Sequence, residues 1–151
     1  MKTNKVTIRL MKNEDFDAVV EIDTKVLGTA RPDYYVKKFQ RLIKSNDCIE
    51  TSLVAEDENQ KIVGFIMGEL IFGDFGICND DATLDTMGVD PEFQRQGIGK
   101  KLMDDFVLHM KQLEVRKLHT LVDKTDSRLM GFYTSSHFSP SETFINMERT
   151  I

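Results

Sequence analysis

Seven residues, Gln94-Arg95-Gln96-Gly97-Ile98-Gly99-Lys100, carry the densest chemical signal in the chain. They stand between a strand-like run ending at Val89 and an amphipathic run beginning at Ile98. A helix opened by such a turn presents N–H groups that lack partners inside the helix, at the positive end of its dipole. Two glycines let a phosphate approach the main chain closely. The turn therefore points to a phosphate-bearing ligand held by backbone amides. Arg95 and Lys100 are either added cations or plain solvated surface.

Three readings of the turn compete. A P-loop requires G-x-x-x-x-G-K-[ST], but Gln94 stands where its first glycine belongs and Lys101 where its hydroxyl belongs. A dinucleotide fingerprint requires a third small residue where Leu102 stands, and it normally follows the first strand of its fold. The third reading is a strand-to-helix turn with no ligand.

The flanking residues add information. The run from Thr83 to Gly99 contains a strand ending in Val89, the acidic-proline turn Asp90-Pro91, and then Gln94, Gly97 and Gly99. It resembles the acetyl-CoA-binding motif of the GNAT superfamily of N-acetyltransferases, Q/R-x-x-G-x-G/A. Downstream, Asp126 to Phe138 resembles the next segment of that superfamily, N-x-x-A-x-x-L/F-Y-x-x-x-G-F. Phe132, Tyr133 and Phe138 match it, while Asp126, Leu129 and His137 replace the usual Asn, Ala and Gly. The close resemblance covers roughly residues 82–138.

This resemblance implies acetyl transfer from acetyl-CoA to a primary amine, by direct attack in a ternary complex. The acceptor would be a protein α-amino or lysine group or a small-molecule amine. Backbone amides of Arg95, Gln96, Gly97, Ile98, Gly99 and Lys100 would hold the pyrophosphate, with Gln94 at the head of the motif. Met87-Gly88-Val89 matches the central-strand segment that bulges and pairs with pantetheine. Gly88 is the expected bulge, its freed N–H an oxyanion donor. Tyr133 matches the general acid that protonates the departing thiolate. Asp126 stands where an amide usually contacts pantetheine, but a carboxylate only accepts, so a helix cap is its competing role.

The general base is open. The strand glutamate used by some ribosomal-protein acetyltransferases falls at Leu121, which cannot serve. Asp85 and Glu69 are the candidates, directly or through water, and binding the neutral amine can suffice without either. The acceptor pocket maps to the stretch from Gly28 to Tyr35, with Arg31 and Tyr34 as contacts, and to Gly73-Asp74-Phe75-Gly76. A non-catalytic acyl-CoA-binding module is the alternative reading, and a ligand-free regulatory subunit is a third. Dimers are common among similar proteins.

Elements must position these groups. Alternation at residues 6–10 predicts a strand. Asn13 offers an N-cap to a helix carrying Phe16, Val19, Val20, Ile22, Val26 and Leu27, broken from Gly28 to Pro32. Tyr35, Val36, Phe39, Leu42 and Ile43 mark a second helix, ended by Ser45-Asn46-Asp47. Strands are predicted at 52–56, 62–72 and 84–89, with a loop at 73–81. Ile98, Leu102, Met103, Phe106, Val107, Met110 and Leu113 give the strongest helical stripe. A strand at 118–122, a helix from Asp126 or Ser127 to near Ser136, and a last strand at 144–148 complete the order βααβββαβαβ. That order predicts an α/β fold with a mixed sheet flanked by helices on both faces, in a single domain over residues 1–151.

The chain has 151 residues, enough for one real core, and a formal charge of −5, which argues against a basic nucleic-acid-binding surface. No apolar run approaches the ~20 residues of a membrane helix. The first residues lead into a strand and do not form a signal-peptide core. Cys48 and Cys78 belong to no C-x-x-C or Cys/His cluster, and His109, His119 and His137 share no metal-ligand spacing. A cytoplasmic protein with free thiols and no metal is the expectation.

Overall fold

The computed structural model describes residues 5–46, 48–71 and 80–151. The chain divides into two compact units, residues 1–120 and 121–151. The first holds β1 (Thr7–Leu10), α1 (Phe16–Leu27), α2 (Pro32–Phe39), β2 (Leu53–Glu56), β3 (Ile62–Ile71), β4 (Asp81–Val89), α3 (Ile98–Gln112) and β5 (Lys117–His119). The five strands form one sheet in the order β1-β2-β3-β4-β5. All neighbours are antiparallel except β4 and β5, which are parallel. The expected mixed sheet with helices on both faces is what forms.

Each face has its own apolar layer. Val19 and Ile22 of α1 and Tyr35 and Phe39 of α2 are buried with Val54, Phe65 and Met67 on one side. Ile98, Leu102, Met103, Phe106 and Met110 of α3 are buried on the other, where Leu102 and Ile98 crowd Gly64 and Phe106 crowds Gly68. Helices on both sides explain why β3 reads as an almost unbroken apolar run instead of an alternating one.

The ends of α1 are set locally. Asn13 does not cap it as expected. A 3-10 turn at Asn13–Asp15 precedes it, and the buried Asp15 accepts the Lys12 N–H at 2.8 Å while Arg9 grips the same carboxylate at 2.8 and 2.9 Å. A carboxylate that takes a strand arginine as well as a backbone donor displaces the weaker amide cap. Gly28 closes the helix in the left-handed region at φ 79°, returning its N–H to the Thr24 carbonyl. After α2 the chain continues through a π-helical turn, Gln40–Lys44.

Beyond residue 120, α4 (Ser127–Ser135) is the regular element. The strand expected at 144–148 does not form. Ser141 Oγ accepts the N–H groups of Thr143 and Phe144, a local turn that competes with extended pairing, and Ile145 and Met147 are 80% and 81% exposed. The strand expected at 118–122 is shorter than the sequence implied and spans Lys117–His119. Phe72, the loop Gly73-Asp74-Phe75-Gly76, Cys78 and Asp47 lie outside the described residues. No helix among the described residues is long and apolar enough to cross a membrane.

Candidate functional site

The turn after β4 is built by its own side chains. Asp90, 1% exposed, accepts the Glu92 N–H at 3.0 Å and the Lys25 ammonium at 2.9 Å. These hold the 3-10 turn Pro91–Phe93. Gln94 Nε2 then donates to the Val89 carbonyl at 3.0 Å, tying the head of the glycine turn back to the strand end. Arg95 and Gly97 both take positive φ, 62° and 79°, which swings the chain sharply into α3. Nothing lies within 4 Å of the place a Cβ would occupy on Gly97, so the turn is open on that side. The leading amides of α3, at Ile98, Gly99 and Lys100, have no intrahelical acceptor and point out of the helix start. An open, left-handed turn at the positive end of a 15-residue helix fits a diphosphate. Lys100 itself pairs with Asp104 one turn along, at 2.5 Å, on exposed surface.

The strand before the turn carries the expected irregularity, three residues from where the sequence placed it. Gly88 sits in register opposite Phe65. The register shifts lower down: Met67 opposes Thr86 and Gly68 opposes Leu84, so Asp85 is the extra residue. Gly88 is small for packing, since a Cβ there would meet Phe65 at 3.0 Å and Ile22 at 3.4 Å. On its other edge β4 pairs with β5 only from Asp81 to Thr83. Above that the Thr120 hydroxyl reaches the Leu84 carbonyl at 3.0 Å, and the ladder goes no further. Met87, Gly88 and Val89 therefore run beyond the parallel pairing, between the bulge and the glycine turn.

Both candidate bases are paired from the helical segment over the sheet, Asp85 from α2 and Glu69 from the π-helical turn that follows it. Asp85 Oδ2 receives Lys38 Nζ at 2.6 Å, and Oδ1 receives the Thr83 hydroxyl at 2.7 Å. Glu69, the cross-strand partner of Thr83, receives Arg41 Nη2 at 2.7 Å. Arg31, offered as an acceptor contact, is committed to Asp23 through two bonds of 2.8 and 2.9 Å, and its guanidinium lies 4.3 Å above the Tyr34 ring. Asp23 holds the Arg31 guanidinium well into its charged range. The buried Tyr35 hydroxyl meets the Thr86 hydroxyl at 3.2 Å, and burial pushes its phenol far above the usual tyrosine value. The sequence marks Tyr35 only within the α2 stripe and the acceptor stretch, and it does not single out Lys38, Arg41 or Asp23. Tyr35 and Lys38 share a helix face, but nothing in the chain order says which strand residue they meet.

Tyr133 lies in the second unit, near the end of α4. Asp126 caps that helix, accepting the Leu129 N–H at 3.0 Å, so its carboxylate plays the structural part weighed for it. At the other end Phe138 donates to the Tyr133 carbonyl at 2.9 Å and His137 to the Thr134 carbonyl at 3.1 Å. This is a Schellman closure, with His137 in the left-handed position at φ 69°. The Tyr133 and Phe138 rings meet edge to face at 5.3 Å, the apolar contact that accompanies such a closure. The spacing Tyr-x-x-x-x-Phe is thus a helix-ending device that fixes the tyrosine ring. Leu121, at the position of the missing strand glutamate, is 84% exposed. No group of three or more metal-capable side chains converges among the described residues.

Strand, bulge, glycine turn and helix in this order define a fold that comparison with known proteins places in a family. The chain belongs to the GNAT acetyltransferase family, whose model matches residues 16–138. It is 32% identical over 91 residues to mycothiol acetyltransferase of Propionibacterium freudenreichii subsp. shermanii, covering 60% of this chain and 28% of that protein. It is 28% identical over 141 residues to N-alpha-acetyltransferase 60 of Xenopus tropicalis, covering 87% of this chain and 58% of that one. The chain thus spans less than two thirds of either relative. In fold it matches an aminoglycoside N-acetyltransferase solved with CoA, at a TM-score of 0.77 and 13% identity, over 98% of this chain and 97% of that one.

Proposed function

We propose that residues 1–151 act as one N-acetyltransferase domain, which moves an acetyl group from acetyl-CoA to a primary amine by direct attack in a ternary complex. The observation that carries this reading is the continuous path from the Asp85 bulge, along Met87, Gly88 and Val89, to the open turn at Gly97. When bound, acetyl-CoA supplies an activated thioester. The amides from Arg95 to Lys100 grip its diphosphate, and the edge of β4 beyond its ladder with β5 pairs with the pantetheine arm. The extra residue of a bulge drops out of the ladder, so main-chain N–H at Asp85 is the donor that polarises the acetyl carbonyl, in place of Gly88. Tyr133 protonates the departing sulfur.

The acceptor is an amine of a protein terminus, a lysine or a small molecule, consistent with the activities that name the relatives. Asp85 is the preferred group to accept the amine's proton, with Glu69 next. Both already hold a cation, which also suits a route in which the neutral amine binds and no single base acts. The same observation favours a second reading, a non-catalytic acyl-CoA-binding module.

Calorimetric titration with acetyl-CoA, followed by thiol release across a panel of free-N-terminal peptides and small amines, separates these readings. Binding with amine-dependent thiol release supports the enzyme. Binding without release for every amine leaves the module. Absence of binding overturns both.

A further inference from the structure

We propose that Lys38 and Tyr35 are positioning residues that lock the Asp85 bulge of β4 in a single register. The proposal rests on the acetyl-transfer reading, which gives that bulge its catalytic role.

Consecutive residues of a regular strand point to opposite faces. Asp85 and Thr86 are consecutive, yet both reach α2. Asp85 Oδ2 lies 2.6 Å from Lys38 Nζ, and Thr86 Oγ1 lies 3.2 Å from the Tyr35 hydroxyl. Tyr35 and Lys38 are three residues apart, neighbours on one helix face. One turn of α2 thus holds both strand residues at the point where the register shifts. A ladder alone does not choose the bulge position. If the extra residue moved along the strand, the side chains between the two positions would change face, carrying Asp85 or Thr86 away from α2. The two contacts with α2 exist together only in the observed register.

The contacts are also sheltered. Tyr35 is 0% exposed, and the side chains of Lys38 and Asp85 are 14% and 16% exposed, so solvent screens this pair less than a surface one. Thr83 steadies the second oxygen of Asp85 at 2.7 Å. Tyr35 also lies 3.4 Å from Arg31 Nη2, and Arg31 is anchored on Asp23. The lock therefore extends from the bulge to the connection between α1 and α2, the segment assigned to the acceptor pocket.

The test uses the full chain with Lys38→Met, Tyr35→Phe and Lys38→Arg, and Lys37→Met on exposed α2 surface as control. Amide hydrogen exchange and steady-state kinetics are read together. In Lys38→Met and Tyr35→Phe, exchange at Asp85 and Thr86 accelerates tenfold or more while Phe65 and Gly88 stay unchanged. Their kcat falls tenfold or more, with the Kd for acetyl-CoA within twofold of wild type. Lys38→Arg restores most of both, and Lys37→Met matches wild type. Thr86→Val probes the same hydroxyl pair from the strand if Tyr35→Phe fails to fold. Unchanged exchange at Asp85 and Thr86 in folded variants overturns the lock, and faster exchange with unchanged kcat overturns its catalytic role. A wild-type protein that binds no acetyl-CoA and releases no thiol sinks the acetyl-transfer reading instead, and exchange still decides the lock.

Discussion

Gly68 of β3 lies against the Phe106 ring of α3 so closely that a Cβ on it would stand 2.6 Å from Cζ, and 2.4 Å from the Thr83 carbonyl. Gly68 also borders the register shift beside Asp85. The β4 backbone and the Phe106 ring both close on the space a methyl group would need. Gly68→Ala is expected to destabilise the fold by about 1–3 kcal/mol through overpacking that backbone cannot relieve. A urea midpoint lowered at constant m-value checks this, and an unchanged midpoint refutes it.

At the glycine turn, Gly97→Glu places a carboxylate where the proposed function seats the diphosphate. Acetyl-CoA binding is expected to be lost in a protein that still folds. Gly97→Ala separates charge from strain. It costs about 1 kcal/mol because φ is 79°, but no atom blocks its methyl group. Calorimetry on both variants reads the difference. Unchanged affinity in folded Gly97→Glu removes the diphosphate assignment.

Tyr133→Phe keeps the ring contact with Phe138 and deletes only the hydroxyl. A drop in turnover of about 10²–10⁴-fold with unchanged acetyl-CoA affinity is expected of a lost general acid. Full activity in this variant would leave the tyrosine a purely structural part of the helix ending.

Two buried carboxylates set the response to acid. Burial pushes both Asp15 and Asp90 upward, but the Arg9 guanidinium and the Lys12 N–H outweigh it for Asp15, as Lys25 and the Glu92 N–H do for Asp90. Both titrate below the ordinary carboxylate range in the fold. Their contribution is therefore fully present above the unfolded value of about 3.9 and is lost as pH falls through the lowered folded values. Asp90→Asn is expected to cost about 1–3 kcal/mol at neutral pH. Its deficit against wild type shrinks below about pH 4. Urea unfolding across pH 3–7 measures both, and a deficit that does not change with pH contradicts the assignment.

His137 holds the left-handed position of the α4 closure, a conformation that costs an L-residue about 1 kcal/mol. His137→Gly is expected to raise stability by up to about 1 kcal/mol, less the entropy glycine adds to the unfolded chain. A thermal midpoint that falls would show that the imidazole makes a compensating contact.

Features written in short-range order were legible from the chain alone. The stripe Ile98, Leu102, Met103, Phe106 and Met110 became the buried face of α3 because helical periodicity is a local property. The Asp90-Pro91 turn, Gly28 at the end of α1 and the Asp126 cap were readable for the same reason, since each bonds within a few residues of itself. The α/β class followed from their order.

What joins distant segments was decided only in three dimensions. Gly88 signalled an irregular strand, but the bulge fell at Asp85, opposite the Met67–Gly68 step of β3, a register that chain order does not reveal. Asp85 as a carboxylate was visible; its pairing with Lys38, 47 residues away, was not. Residues 144–148 carry strand-forming side chains, yet Ser141 captures the backbone into a turn. Helix faces and caps are energies of neighbours in sequence. Register, ion pairs and strand partners are energies of neighbours in space, and those exist only once the sheet has closed.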